Sequence, residues 1–196
     1  DNIADIGSVL EIKAGFAKGM FTGFIRVKGK PLGLIANNPL FLAGAIDSDG
    51  ADKASRFIKI CENYNIPILS LCDTPGMMVG PEIEETGLVR HCCRLFLAGA
   101  NVTVPMMTIV LRKAYGLGAQ AMAGGSFMAP QFVVGWPTAE IGAMGLEGAV
   151  KLGYRKELEA ESDVEKKEKL FKKLVDDLYE KGKAINAASL LEFDTV

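Results

Sequence analysis

Pro105-Met106-Met107-Thr108-Ile109-Val110-Leu111-Arg112-Lys113-Ala114-Tyr115-Gly116-Leu117-Gly118-Ala119 is the stretch that decides the fold. Pro105–Leu111 is an apolar run of strand length, Tyr115–Gly118 is a glycine-punctuated turn, and the small residues Ala119–Ala123 continue as a helix. The same order occurs once before. Ile66–Cys72 is apolar on both sides of its pleat, as an interior strand covered on two faces should be. The loop Asp73–Pro81 follows, and then Leu88, Cys92, Leu95, Phe96 and Gly99 recur with helical period. A buried strand ending in a glycine-bearing loop that opens a helix, repeated along the chain, is the signature of an α/β fold with loops gathered at the carboxyl ends of the strands. Ligand chemistry is therefore expected at Asp73–Gly80 and Tyr115–Ala119.

Upstream, alternating apolar and small residues from Met20 to Ala36, interrupted by Lys28-Gly29-Lys30, predict a β-hairpin with Gly29 in its turn and Pro31 opening the second strand. Asn37-Asn38-Pro39 and the region of Gly44 break regular structure, and Asp47 to Asp49 supply helix caps. Ala54, Phe57, Ile58 and Cys61 then mark the buried face of a helix over Ala51–Asn63, whose other face carries Lys53, Arg56 and Lys59. Downstream, a short strand is expected at Phe132–Trp136, then the Pro137–Gly145 segment and a helix from Leu146. From Arg155 to Lys183 the chain turns rich in Glu and Lys. Ser162-Asp163-Val164-Glu165 has capping-box spacing, Gly182 marks a helix end, and Phe171, Leu174, Val175 and Leu178 form one narrow apolar stripe. Glu165/Lys169 and Glu168/Lys172 lie four apart on the polar side. The stripe must dock either on its own domain or on another subunit. We divide the chain into a core, residues 1–154, and an amphipathic helical extension, residues 155–196.

The 196 residues, 49% of them apolar, suffice for one compact domain. With 22 basic against 24 acidic residues the net charge is −2, which argues against a nucleic-acid partner. No apolar window approaches the roughly 20 residues of a membrane span. The chain opens on Asp1 with no signal-peptide pattern, and is expected to be a piece cut from something longer. Cys61, Cys72, Cys92 and Cys93 form no C-x-x-C pair and His91 is the single histidine, so no metal site is expected. Reduced thiols in a cytoplasmic setting fit this usage.

The two loops matter because the first turn of a helix leaves backbone N–H groups unpaired, and the peptide dipoles add positive potential there. Gly116 and Gly118 clear the approach path, Leu117 and Gly118 present the N–H groups, and Gly76–Gly80 could face them with a further donor, together forming an oxyanion hole. The alternative is that both loops are simply tight turns. The P-loop pattern is absent, and Gly142, Gly145 and Gly148 do not follow a long buried strand. His91 and Cys92 are adjacent on a helix and point about 100° apart, so they do not make a nucleophile pair. Asp73 either serves function or caps its loop, Asp47 and Asp49 are caps, and Trp136 and Tyr154 either line a pocket or fill core.

Several long motifs then fall in one order: Gly29-Lys30-Pro31-Leu32-Gly33-Leu34-Ile35-Ala36-Asn37-Asn38-Pro39, Ala43-Gly44-Ala45-Ile46-Asp47, Asn65-Ile66-Pro67, Asp73-Thr74-Pro75-Gly76, Arg90-His91, Ala100 to Pro105, Arg112-Lys113-Ala114-Tyr115-Gly116, and Trp136-Pro137-Thr138-Ala139-Glu140-Ile141 with Met144-Gly145. From about residue 8 to its end the chain resembles the carboxyltransferase subunits of biotin-dependent acyl-CoA carboxylases of the propionyl-CoA and acetyl-CoA β type. It resembles in particular the second of their two related domains, without the N-terminal one. The resemblance implies a crotonase-like spiral of β-β-α units. It also implies a reaction in which carboxybiotin on a carrier gives up CO₂, backbone N–H groups stabilise the biotin oxygen, and the biotin nitrogen takes the α-proton of an acyl-CoA whose enolate is carboxylated. Carried over by position, Gly116, Leu117 and Gly118 with Gly76 and Met77 form the catalytic part, and Tyr115, Ala119, Met78, Val79 and Gly80 surround biotin. Implied partners are the N-terminal domain of another protomer, a biotin carboxyl carrier protein and a biotin carboxylase, in a homo-oligomer that is a hexamer for the full subunit. The usual Tyr-Gly-Gly-Ala-Tyr-Asp reads here Tyr115-Gly116-Leu117-Gly118-Ala119-Gln120, which keeps the backbone donors and alters the pocket. Two other functions stay open: the carboxyltransferase subunit of a sodium-pumping acyl-CoA decarboxylase, and an assembly module inactive by itself.

Overall fold

The computed structural model describes residues 3–196. In chain order its elements are β1 (Leu10–Glu11), β2 (Met20–Val27), β3 (Lys30–Asn37), α1 (Ser48–Asn63), β4 (Ile68–Thr74), α2 (Pro81–Glu84), α3 (Leu88–Ala100), β5 (Met106–Tyr115), α4 (Gly116–Met122), β6 (Phe132–Gly135), β7 (Glu140–Gly142), α5 (Leu146–Gly153), α6 (Arg155–Ala160), α7 (Val164–Gly182) and α8 (Ala184–Ser189). The strands form one sheet in the order β1-β2-β3-β4-β5-β6, with β7 also pairing with β5. β1, β2 and β3 are antiparallel, as a hairpin requires, and β3 through β7 pair in parallel. The hairpin turns on Lys28 and Gly29, both at positive φ, the signature of a two-residue primed turn.

α1 and α3 lie side by side on one face of the sheet. Phe57, Ile58 and Cys61 of α1 and Leu95 and Ala98 of α3 close over Ile35, Ile68, Cys72 and Val110, all at most 5% exposed. The register Ile35↔Ser70↔Thr108↔Val133 runs across this layer. The interior-strand expectation for β4 holds on this side. On the other side Leu71 is half-buried and joins Leu34, Ala36 and Ile3 around an open cavity of about 370 Å³.

Several expectations need correction. Lys53 does not sit on a solvated helix face: it is 2% exposed, and its Nζ donates to the carbonyls of Phe16 (2.7 Å) and Ala17 (3.4 Å). Helical periodicity cannot see a neighbouring segment that folds over the helix. β5 runs on to Tyr115 instead of ending at Leu111, and α4 opens at Gly116 instead of Ala119. The Pro137–Gly145 segment contains the strand β7, which pairs with Lys113–Tyr115. The charged C-terminal stretch is two helices, and the cap of α7 is Asp163, whose Oδ1 accepts from the N–H groups of Glu165 (2.9 Å) and Lys166 (3.1 Å), one residue later than the capping-box spacing implied. Cys93 is exposed while Cys61, Cys72 and Cys92 are buried. Trp136 is 50% exposed.

Asp47 caps α1 as expected, its Oδ1 accepting from Gly50 N at 2.7 Å. α7 ends at Gly182 and carries the Lys169–Glu165 pair at 2.6 Å. It packs on α5, α6, α8 and β7, yet Phe171, Leu174, Val175 and Leu178 remain half-buried. Past α8 the tail returns to the core: Phe193 is 1% exposed and edge-on to Phe127, and Asp194 and Thr195 hydrogen-bond along β6.

Candidate active site

The two loops singled out in the sequence meet. A β-carbon added to Gly118 would lie 2.6 Å from the carbonyl carbon of Gly76, 2.7 Å from its Cα and 2.9 Å from Met77 N, so the first turn of α4 rests directly on the backbone of the Gly76–Met77 loop. Gly116 makes the turn from strand to helix in a single residue by taking φ +57°, and a β-carbon there would lie 2.9 Å from the Ala143 carbonyl oxygen. The helix start is thus held between one loop from β4 and another following β7.

The facing loop is fixed by its own hydrogen bonds. Thr74 Oγ1 accepts from Gly76 N and donates to Gly76 O, both at 3.1 Å. Ile46 N donates to Gly76 O at 3.0 Å and Met78 N donates to Ile46 O at 2.9 Å. In this short parallel bridge the residues flanking Met77 turn toward Ile46, so Met77's own N–H and carbonyl point away from it. Thr74, Ile46 and Ala143 are contributors the sequence reading missed. Thr74-Pro75-Gly76 carries the signature of a hydroxyl-anchored turn and could have been found from it. The Ile46 bridge and the Ala143 contact leave no local signal.

Among the described residues, the N–H groups of Leu117, Gly118 and Met77 are engaged neither by the carbonyl of another loop nor by a side chain. The helix itself offers no acceptor to its first turn, which carries the positive end of the peptide dipoles. Leu117 is 62% exposed and Val79 82%, whereas Tyr115 and Ala119 are buried. The Tyr115 ring packs on Gly142, and burial together with the neighbouring Glu140 carboxylate drives its hydroxyl pKa up. Met78 and Gly80 are half-buried. The arrangement offers backbone donors, small residues and open side chains.

The remaining candidates are placed elsewhere. Asp73 binds Arg112 (Oδ2 to NH2, 3.0 Å) and accepts from Lys113 N at 3.2 Å, tying the end of β4 to β5. His91 Nδ1 lies 2.8 Å from Asp52 Oδ2, and Cys92 Sγ lies 3.2 Å from Met77 Sδ, so the histidine and the thiol face different neighbours. Burial pushes the Cys92 thiol up to about 11. No three His, Cys, Asp or Glu side chains gather in a metal-holding group among the described residues. No described helix is long and apolar enough to cross a membrane.

Comparison with known proteins gives this geometry a lineage. The family model described as "Carboxyl transferase domain" matches residues 1–195. The methylmalonyl-CoA carboxyltransferase 12S subunit of Propionibacterium freudenreichii subsp. shermanii is 42% identical over 161 residues, 82% of this chain and 30% of that one. A solved single-chain, multi-domain long-chain acyl-CoA carboxylase superposes with a TM-score of 0.89 at 52% identity, over 99% of this chain and 19% of that one. The transcarboxylase 12S structure, a hexamer with methylmalonyl-CoA bound, gives 0.90 at 36%, over all of this chain and 37% of that one. The chain therefore spans about a third or less of the relatives it matches, and its α/β architecture is theirs, the crotonase-like fold. A match across nearly every residue means that the chain belongs to the carboxyl transferase domain family, that of the carboxyltransferase subunits of biotin-dependent acyl-CoA carboxylases.

Proposed function

We propose that this chain is the biotin-side part of an acyl-CoA carboxyltransferase, and that the first turn of α4 is its oxyanion hole. One observation supports the reading: Gly118 rests backbone to backbone on Gly76–Met77, so the start of α4 and the facing loop, whose Leu117, Gly118 and Met77 N–H groups meet no carbonyl of another loop, lie against each other. Donors fixed in this way lose nothing to reorganisation when an oxygen gains negative charge. The site suits a neutral urea-like group, because it offers neutral donors and an apolar rim of Leu117 and Val79. A carrier-borne biotin, when bound, would supply the carboxyl group and a base for the proton that the acyl-CoA loses. Leu117, Gly118 and Met77 hold the oxygen, Thr74 holds the loop, and Tyr115 and Ala119 set the floor. The acyl-CoA, the carrier, the biotin carboxylase and a second carboxyltransferase domain are the proposed partners, in a hexamer such as the 12S structure shows for its own chain.

The test must remove an N–H without disturbing the contact. A proline at 118 would not do so, since any β-carbon there collides with Gly76. Replacing the Leu117 amide by an ester, through the α-hydroxy acid, deletes the donor and keeps the side chain. Carboxyl transfer in the assembled enzyme is expected to fall by roughly 10²–10³ in kcat, while Leu117→Ala, which keeps the N–H, stays within a few-fold. An ester variant that transfers at the normal rate overturns the assignment.

A further inference from the structure

The buried Lys53 points to a second site, beside α1 and α3 and lined by none of the glycine-loop residues. Its side chain lines a cavity of about 400 Å³ together with Lys13, Arg56 and Lys59 of the same flank and Arg94 of α3. Asp52 is the one carboxylate in the lining, and it is already held by His91 at 2.8 Å and Arg94 at 3.0 Å. Among the described residues, Lys13, Lys53, Arg56 and Lys59 form no ion pair with any carboxylate. Glu11 is the carboxylate whose field reaches Lys53, and the charge of Lys13 opposes it.

Three features separate this cluster from an ordinary solvated helix face. First, Lys53 is a buried lysine whose ammonium group donates to two carbonyl oxygens and has no carboxylate in contact, and a buried charge without a direct counter-ion is costly. Second, Lys13, Lys53, Arg56, Lys59 and Arg94 come from two helices and the preceding segment to line one cavity, whose single carboxylate, Asp52, is already shared between His91 and Arg94. Third, the segment that roofs Lys53 is strained: Lys13 and Ala17 take φ of 58° and 46°, a region that costs side-chain-bearing residues on the order of 1–3 kcal/mol and that clusters at ligand clamps. A concave wall in which cations outnumber the single carboxylate also focuses its field on whatever enters.

We infer that this cavity binds a phosphate-bearing small molecule, with Arg56 and Lys59 contacting the phosphate oxygens at the rim and Lys53 supplying charge from below. Two sources share that chemistry: the phosphates of a coenzyme A thioester, and an independent phosphorylated effector.

Isothermal titration of the purified protein with inorganic pyrophosphate tests this, followed by ADP and coenzyme A. The expected result is one pyrophosphate per chain, weakened at least tenfold in an Arg56→Gln/Lys59→Gln double variant and less than twofold in a Lys166→Gln/Lys173→Gln control on α7. Arg56 and Lys59 are exposed, so the double variant keeps its fold, and unchanged thermal unfolding without ligand checks this. Pyrophosphate should also raise the wild-type Tm and leave that of the double variant unmoved. If coenzyme A weakens in step with pyrophosphate, the substrate's own phosphates occupy the site. If ADP and pyrophosphate weaken while coenzyme A does not, an independent effector does. Absence of binding by all three, or equal losses in the double variant and the control, would overturn the inference.

Discussion

Two strand-to-helix junctions meet at the candidate site, and they are built in opposite ways. β5 passes into α4 through Gly116 alone, so the donors at the helix start are set by the sheet itself. β4 reaches α3 only after residues 75–87, with Gly76, Gly80 and Gly87 at positive φ and the single turn of α2 on the way. The short junction fixes where the N–H groups lie. The long one rests against that helix start, and it keeps its shape through side-chain and bridge hydrogen bonds instead of regular structure. Position comes from the rigid element and enclosure from the adaptable one, which is how function is commonly divided between scaffold and loop.

The contact between the two junctions is the place to break this arrangement hardest. Gly118→Ala puts a β-carbon 2.6 Å from Gly76 backbone, which cannot yield as a flexible side chain would. Overpacking of this kind costs about 3 kcal/mol, or roughly 6–12 °C in Tm for a chain of this size, and carboxyl transfer should fall with it. Calorimetry showing less than a degree of change would mean that the two junctions do not touch as described. Thr74→Val strikes the long junction alone. It leaves Gly76 N–H buried without its acceptor at a cost of about 1–3 kcal/mol, readable as a lower urea midpoint with unchanged slope, while the donors of α4 stay in place.

A smaller effect is expected where α3 is pinned to α1. Burial alone would raise the Asp52 carboxyl pKa, but the hydrogen bonds and charges of His91 and Arg94 outweigh it and hold the carboxyl below its usual 3.8. A depressed folded pKa stabilises the protein above 3.8, and that contribution disappears as pH falls below it toward the folded value. Because the pair is about one-third exposed, Asp52→Asn should cost less than about 1 kcal/mol at pH 7. Its Tm difference from wild type should vanish in strong acid. A difference that persists there would mean that packing, not charge, holds α3.

The short junction was legible in the sequence and the long one only in part. An apolar strand, a glycine turn and small helical residues state their geometry locally, so Gly116–Gly118 fell where expected, and only the strand and helix limits shifted, because β7 extends β5 by pairing with it. The resemblance implied one site holding Gly76 and Gly118, and the coordinates show their backbones in contact. What periodicity could not supply were contacts between segments far apart in the chain: Ile46 with Met77, Ala143 over Gly116, and the Phe16–Ala17 carbonyls over Lys53. Lys53 was misplaced for that reason, since its helical position is polar by pattern and buried only by what folds across it.

Val79 gives the most delicate probe, because it asks whether the long junction acts by backbone or by side chain. Its side chain is 82% exposed and stands two residues beyond Met77, so truncation removes almost no packing. Val79→Ala should leave Tm within about half a degree, in line with surface substitutions that touch no special feature. If the loop contributes only the N–H and shape of its backbone, kcat is also unchanged, and the short junction alone carries the side-chain part of the rim through Leu117. If instead Val79→Ala raises KM for the carrier several-fold at constant kcat, the exposed valine is a docking contact, and the long junction selects the partner as well as enclosing the site. A fall in kcat with KM unchanged would contradict both versions, because an exposed methyl pair cannot stabilise developing charge.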